Sequence, residues 1–134
     1  MREEHRMVTP YRHFNTWMGD LSKALLTRTQ NEVIKEDNLI DHARETGEYF
    51  KAKLQKVNPG MISDVRGRGT LLGYDVKDAE MRDNLLVTFK EFGINTAGCG
   101  THTVRLRPSF YFGKKHVDIY IEALEKSLAK LAKK

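Results

Sequence analysis

Between Gly98 and Phe110 the chain sets two arginines where they could act on an anion. Thr103-Val104-Arg105-Leu106-Arg107 alternates polar and apolar residues, the period of a strand with one face buried and Arg105 and Arg107 on the other. Pro108 lacks a ladder donor and closes that strand, while Gly98-Cys99-Gly100 ahead of it reads as a flexible turn. Guanidiniums side by side repel unless an anion or carboxylates lie opposite. A planar fork of N–H donors matches a carboxylate through two parallel hydrogen bonds. On periodicity alone, a solvated basic face is the commoner explanation of such a pattern.

Other residues offer less. Thr16 could give its hydroxyl to an anion, although stabilising a turn is the usual task of such a threonine. Arg66 and Arg68 could also hold an anion, but Asp64 and Asp75 are nearby partners for them. Gly67-Arg68-Gly69 lacks the third glycine and the following helix of a dinucleotide fingerprint. Cys99 precedes His102 by three residues, yet nothing supplies a positioned base and an oxyanion hole, so nucleophilic use is not expected. The five histidines are scattered without metal-ligand spacing, and no metal site is expected.

The elements that must position these groups are readable from the rest of the chain. At 134 residues, with 40% hydrophobic and 31% charged residues, it has the size and composition of one globular domain. No apolar run is long enough to span a bilayer. The net charge of +5 is modest, and Lys126, Lys130, Lys133 and Lys134 read as a helix end, so neither nucleic acid nor membrane is an expected partner. A single cysteine leaves no internal disulfide. The charged start Met1-Arg2-Glu3-Glu4-His5-Arg6 matches no targeting segment and suggests a chain that begins inside a larger protein.

The stretch Tyr11 to Asp20, rich in aromatics but without helical spacing, reads as a loop packed on something large. Asp20 can cap a helix reaching about Glu36. A second helix starts near Asp37 or Asn38 with a stripe of Ile40, Ala43, Gly47, Phe50, Leu54 and Val57, and Asn58-Pro59-Gly60 stops it. Val65 to Gly69 and Thr70 to Val76 predict two strands, bent or bulged at the glycines. Asp78 caps a third helix bearing Met81, Leu85, Leu86, Phe89 and Phe92, with Gly93 as its C′ residue. A short strand is expected over Ile94 to Ala97, and a last helix from about Lys115 to Lys133 with Val117, Tyr120, Ile121, Leu124, Leu128 and Leu131 on one side. This order predicts an α/β fold: a small, mainly antiparallel sheet with helices largely on one face.

Three motifs then stand in register: Phe14-Asn15-Thr16-Trp17-Met18-Gly19-Asp20, Val65-Arg66-Gly67-Arg68-Gly69-Thr70, and Gly98-Cys99-Gly100 followed by Val104-Arg105-Leu106-Arg107-Pro108. Together they resemble the C-terminal part of the 4-aminobutyrate aminotransferases, class-III enzymes that depend on pyridoxal phosphate and have the fold type I architecture. Leu21 stands where that family usually has proline, and Ala97 where a second glycine is common.

The resemblance implies that residues 1–20 end the large domain and form a loop crossing to the neighbouring subunit, and that residues 21–134 form the small C-terminal domain. By position, Thr16 resembles the threonine that reaches the phosphate of the neighbouring subunit's cofactor. Phe14 resembles an aromatic lining that pocket. Arg105 resembles the arginine that takes the α-carboxylate of glutamate or 2-oxoglutarate. Arg66 to Gly69 resembles a mostly structural turn of the small domain. The implied activity is transamination of 4-aminobutyrate with 2-oxoglutarate, by a homodimer in the mitochondrial matrix. The family's cofactor-bearing lysine lies upstream of Met1, so the chain alone is expected to be inactive, with no catalytic residue of its own. A second expectation, from a different class, is a non-catalytic module that binds an anionic metabolite or a partner protein.

Overall fold

The computed structural model describes residues 4, 8–10, 16, 19–58 and 60–133. They fall into two compact units, Met1–Glu36 and Asp37–Lys134. Most of the aromatic loop, including Phe14 and Trp17, lies outside the described residues.

In the first unit, helix α1 (Leu21–Glu36) begins as expected at Asp20, whose carboxylate accepts the Lys23 N–H at 3.2 Å. Arg28 and Glu32 pair one turn apart at 2.8 Å. None of the helix's residues is buried.

The second unit holds helices α2 (Leu39–Leu54), α3 (Ala79–Glu91) and α4 (Lys114–Leu131). Its strands are β1 (Ile62–Arg68), β2 (Leu71–Val76), β3 (Ala97–Cys99) and β4 (Thr103–Leu106). The strands form one sheet in the order β1-β2-β4-β3, every neighbouring pair antiparallel. The β2–β4 pairing brings together strands separated in sequence by α3. Leu72, Tyr74 and Val76 of β2 and Val104 and Leu106 of β4 all point to one face, the two-residue period read from the sequence. That face packs on Phe50 and Leu54 of α2, Leu85 and Phe89 of α3, and Val117, Tyr120, Leu124 and Leu128 of α4. All three helices of this unit thus serve one core on one side of the sheet.

Local chemistry explains the ends. Asp78 caps α3 by accepting the Met81 N–H at 2.8 Å, and Gly93, at φ 75°, follows its last turn. Gly47 lets α2 press onto the β1–β2 hairpin. A Cβ there would lie 2.1 Å from the Gly69 carbonyl oxygen.

Four expectations are corrected. Ile40 is exposed (67%) while Leu39 is buried, because at 3.6 residues per turn Leu39 lines up with Ala43, Thr46 and Phe50, whereas Ile40 lies more than a quarter turn round the helix. The bulge lies between Ser63 and Arg66, with Asp64 at φ 45°, not at the glycines. The third strand forms over Ala97–Cys99 rather than Ile94–Ala97, set by its pairing with β4. Gly98 and Cys99 are therefore strand, and the turn is Gly100 to His102. Arg82 holds that turn: its Nη1 donates to the Gly100 carbonyl at 2.8 Å, and its side chain passes where a Cβ on Gly98 would stand.

Candidate carboxylate-binding site

The sheet face turned away from α2, α3 and α4 gathers the charged residues. Its composition depends on the bulge. Ser63 pairs with Asp75, but the extra residue shifts the register so that Arg66 pairs with Gly73. Were the same residues paired one to one from Ser63, Arg66 would lie opposite Leu72 and point into the core. The bulge thus turns a cation outward. One cross-strand row then reads Arg66, Gly73, Arg105, Ala97, and the next reads Ser63, Asp75, Thr103, Cys99.

The two arginines differ in their commitments. Arg66 Nη1 donates to the Asp64 carboxylate at 2.8 Å and to its carbonyl at 2.9 Å. Its Nη2 donates to Asp75 Oδ1 and to Thr103 Oγ1, both at 3.0 Å. Thr103 in turn donates to the same Asp75 oxygen at 2.5 Å. Burial works to raise the Asp75 carboxyl, but the hydrogen bonds from Thr103 and Arg66 outweigh it and hold the group below the ordinary carboxylate range. The local pairing expected for Arg66 is therefore what the structure contains. Thr101 and His102 flank this network, with His102 Nε2 lying 3.7 Å from Asp75 Oδ2.

Arg105 is half-buried, and its side chain makes no hydrogen bond or ion pair among the described residues. Its backbone is fixed instead: its carbonyl accepts the Thr96 hydroxyl at 2.8 Å, and its strand is paired on both sides. Its neighbours across the sheet are Gly73 and Ala97, so no large side chain stands beside it on either strand. Arg107 follows beyond the end of β4, also without an ion pair among the described residues. Both arginines border a cavity of about 290 Å³ where the chain leaves β4, together with Asn95, Thr96, Phe112 and Tyr120. A strand-mounted guanidinium with free donors and a firm backbone is equipped to take a carboxylate.

The profile of the family described as Aminotransferase class-III matches residues 2–128. The chain belongs to that family. A 4-aminobutyrate aminotransferase of Kluyveromyces lactis is 40% identical over 126 residues, covering 90% of this chain and 27% of the relative. The human mitochondrial 4-aminobutyrate aminotransferase is 36% identical over 131 residues, covering 96% of this chain and 26% of the relative. This class-III chain thus spans about a quarter of the length of these curated relatives. Among solved structures, a lysine aminotransferase of M. tuberculosis superposes with a TM-score of 0.82 at 28% identity, over 91% of this chain and 29% of that one. A transaminase solved with L-alanine, at 21% identity and a TM-score of 0.70, shares the fold.

The remaining sequence candidates are placed as follows. Thr16 sits in an exposed turn of the first unit, and Phe14 lies outside the described residues. Cys99 is exposed as a free thiol. Among the described residues no group of three or more His, Cys, Asp or Glu could hold a metal ion, and no helix is long and apolar enough to cross a membrane. Lys126 and Lys130 are paired with Glu122 and Glu91. Sequence reasoning missed Gly73 and the bulge that brings Arg66 beside it. The one signal available was Asp64, a residue type that tolerates the left-handed region.

Proposed function

We propose that this chain is the C-terminal portion of a pyridoxal-phosphate-dependent aminotransferase that exchanges the amino group of 4-aminobutyrate with 2-oxoglutarate. Residues 1–20 end the large domain and residues 21–134 form the small one. Arg105 binds the carboxylate of glutamate or 2-oxoglutarate and fixes its orientation. Thr16 gives its hydroxyl to the phosphate of the cofactor in the neighbouring subunit of a homodimer, and Phe14 lines the same pocket. The observation that carries this reading is the difference between the arginines: Arg66 is tied to Asp64 and Asp75, while Arg105 has no side-chain partner among the described residues.

The residues present fit one end of the cofactor only. Thr16 is exposed and can donate to a phosphate. An amine that carries the cofactor must lose its proton, and no described lysine is buried. At Lys53 the shift runs the other way, upward, through Tyr49 and Asp118. Bound pyridoxal phosphate supplies an electron sink for the carbon bearing the amino group. This chain contributes binding and orientation, and alone it is inactive. The relatives named mitochondrial, from human and worm, support the matrix as its compartment.

The test is Arg105→Ala in the complete polypeptide that carries this chain, with the two half-reactions measured separately. Loss of a charged bidentate contact costs about 2–5 kcal/mol when its partner is left buried. The 2-oxoglutarate half-reaction should slow about 30-fold or more, and the 4-aminobutyrate one far less. Equal slowing of both would refute the assignment.

The closed core of residues 37–134 favours one second reading, a free-standing module that binds an anionic metabolite or a partner protein through the same arginine. A chain that binds 2-oxoglutarate and is encoded with no upstream cofactor domain would select it.

A further inference from the structure

Gly73 stands in the middle of β2, where glycine weakens a strand by its backbone entropy and packs nothing. The usual reasons for such a residue are missing. Its φ is not positive. The bulge lies on the opposite strand and ends at its partner Arg66, and Gly73 itself is paired on both sides, with Arg66 and with Arg105. A side chain would also fit: a Cβ there would meet Thr103 Cγ2 at 3.4 Å and the Val104 carbonyl oxygen at 3.5 Å, with no further described atom within 4 Å beyond its chain neighbours.

What the missing methyl leaves is a notch in the sheet floor. Its walls are the two arginine-bearing strands, yet neither arginine side chain comes within 4 Å of the position a methyl would take. Arg66 is anchored by four of its five N–H donors, on Asp64, Asp75 and Thr103, which leaves its Nε–H uncommitted among the described residues. Arg105 has its entire fork free among the described residues. Asp75, in the next row, already takes Arg66 and Thr103 on its Oδ1. The outer-face row Arg66, Gly73, Arg105 thus has no side chain at its centre, and the residue on each side of that gap has N–H donors not engaged among the described residues.

We propose that Gly73 is a specificity-determining residue of the Arg105 site: its missing side chain lets a ligand carboxylate settle on the sheet between Arg105 and the Nε–H of Arg66. The inference rests on the reading of Arg105 as a carboxylate binder and names the residue that shapes its seat. A methyl at this position lifts the carboxylate off the floor and breaks the contact with Arg66, leaving the fold intact.

The experiment is a titration of the 134-residue chain with 2-oxoglutarate to millimolar concentration, followed by NMR of backbone amides and arginine Nε–H groups. Wild type, Gly73→Ala and Arg105→Ala are compared, with sodium sulfate as a control anion. Expected in wild type are saturable shifts at the Gly73 amide and at the Nε–H of both Arg66 and Arg105, with sulfate producing weaker ones. Gly73→Ala should weaken binding about tenfold, equivalent to about 1.4 kcal/mol, with an unchanged or higher unfolding midpoint. Arg105-dependent binding that Gly73→Ala leaves unaltered overturns this inference and leaves the carboxylate reading standing. So does a Gly73→Ala chain that unfolds several degrees lower, which would make the glycine structural. Absence of binding, or binding indifferent to Arg105→Ala, overturns the carboxylate reading and this inference with it.

Discussion

The hydroxyls of Tyr74 and Tyr120 meet at 2.8 Å inside the core, with Tyr74 fully buried and Tyr120 5% exposed. Aromatic neighbours enclose them: Tyr120 lies 5.2 Å from both Phe50 and Phe89, ring centre to ring centre. Each hydroxyl is the other's only hydrogen-bond partner among the described residues. Tyr120→Phe or Tyr74→Phe keeps the ring packing and strands one buried hydroxyl, at a cost of about 1–3 kcal/mol. Removing both leaves nothing stranded, so the double variant should lie within about 1 kcal/mol of wild type. With the double variant near wild type, single costs of about 2 kcal/mol each make the coupling energy about −4 kcal/mol, and costs at the low end still make it about −2 kcal/mol, well outside the scatter of independent sites. Urea unfolding of the four chains by circular dichroism measures it. Two small, additive single effects would refute the argument, because they would mean that water reaches these hydroxyls in the folded state. The pair also sets an alkaline limit. Burial pushes both hydroxyls well above their ordinary range. Their contribution is complete below the unfolded value of about 10 and declines as pH rises above it. The double Phe variant should lose that decline, apart from smaller contributions of the same sign from Tyr111, which Asp37 holds, and Lys53, which Tyr49 and Asp118 hold.

Two further predictions follow from close contacts. Gly47→Ala should destabilise by about 1–3 kcal/mol or more, despite alanine's advantage of about 1 kcal/mol in a helix, because its Cβ would collide with the Gly69 carbonyl. A thermal melt that rises instead would show that α2 does not press on the hairpin. At acid pH, Asp75 stabilises the fold above its unfolded value of about 4, and that contribution is lost as pH falls through the lower folded value. Asp75→Asn should therefore flatten the loss of stability between about pH 5 and pH 2, leaving the smaller share of Asp118, which Tyr49 and Lys53 depress. Unchanged acid unfolding in that variant would remove Asp75 from the account.

Much of this architecture is legible locally. Val117, Tyr120, Leu124 and Leu128 announce α4 by their spacing, and all four are buried. Asp78 and Gly93 mark the two ends of α3 because capping chemistry depends on a few adjacent residues. Val104 and Leu106 give the inner face of β4, and hence the outward position of Arg105. What escaped the sequence depends on distant partners. Leu39 and Ile40 are adjacent and both apolar, and it is Leu39 that shares the buried face of Ala43, Thr46 and Phe50. β3 contains two residues that disfavour strands, and β4 recruits it from the far side of a turn held by Arg82. The site was half visible for the same reason. Arg105 follows from alternation, but its relation to Arg66 and Gly73 arises from a bulge marked in the sequence only by Asp64.

That bulge has an effect beyond the site. The order β1-β2-β4-β3 leaves β1 and β3 as the outer strands of the sheet. An outer strand that is long, flat and regular invites another chain to add to it. Here β1 is broken by Asp64 and Val65 and carries Arg66 and Arg68 toward its far end, while β3 is only three residues long. An incoming strand would find no straight run of free N–H and C=O groups on the first, and too few on the second to hold it. The irregularity that turns Arg66 outward therefore also protects the sheet from growing strand by strand into aggregates.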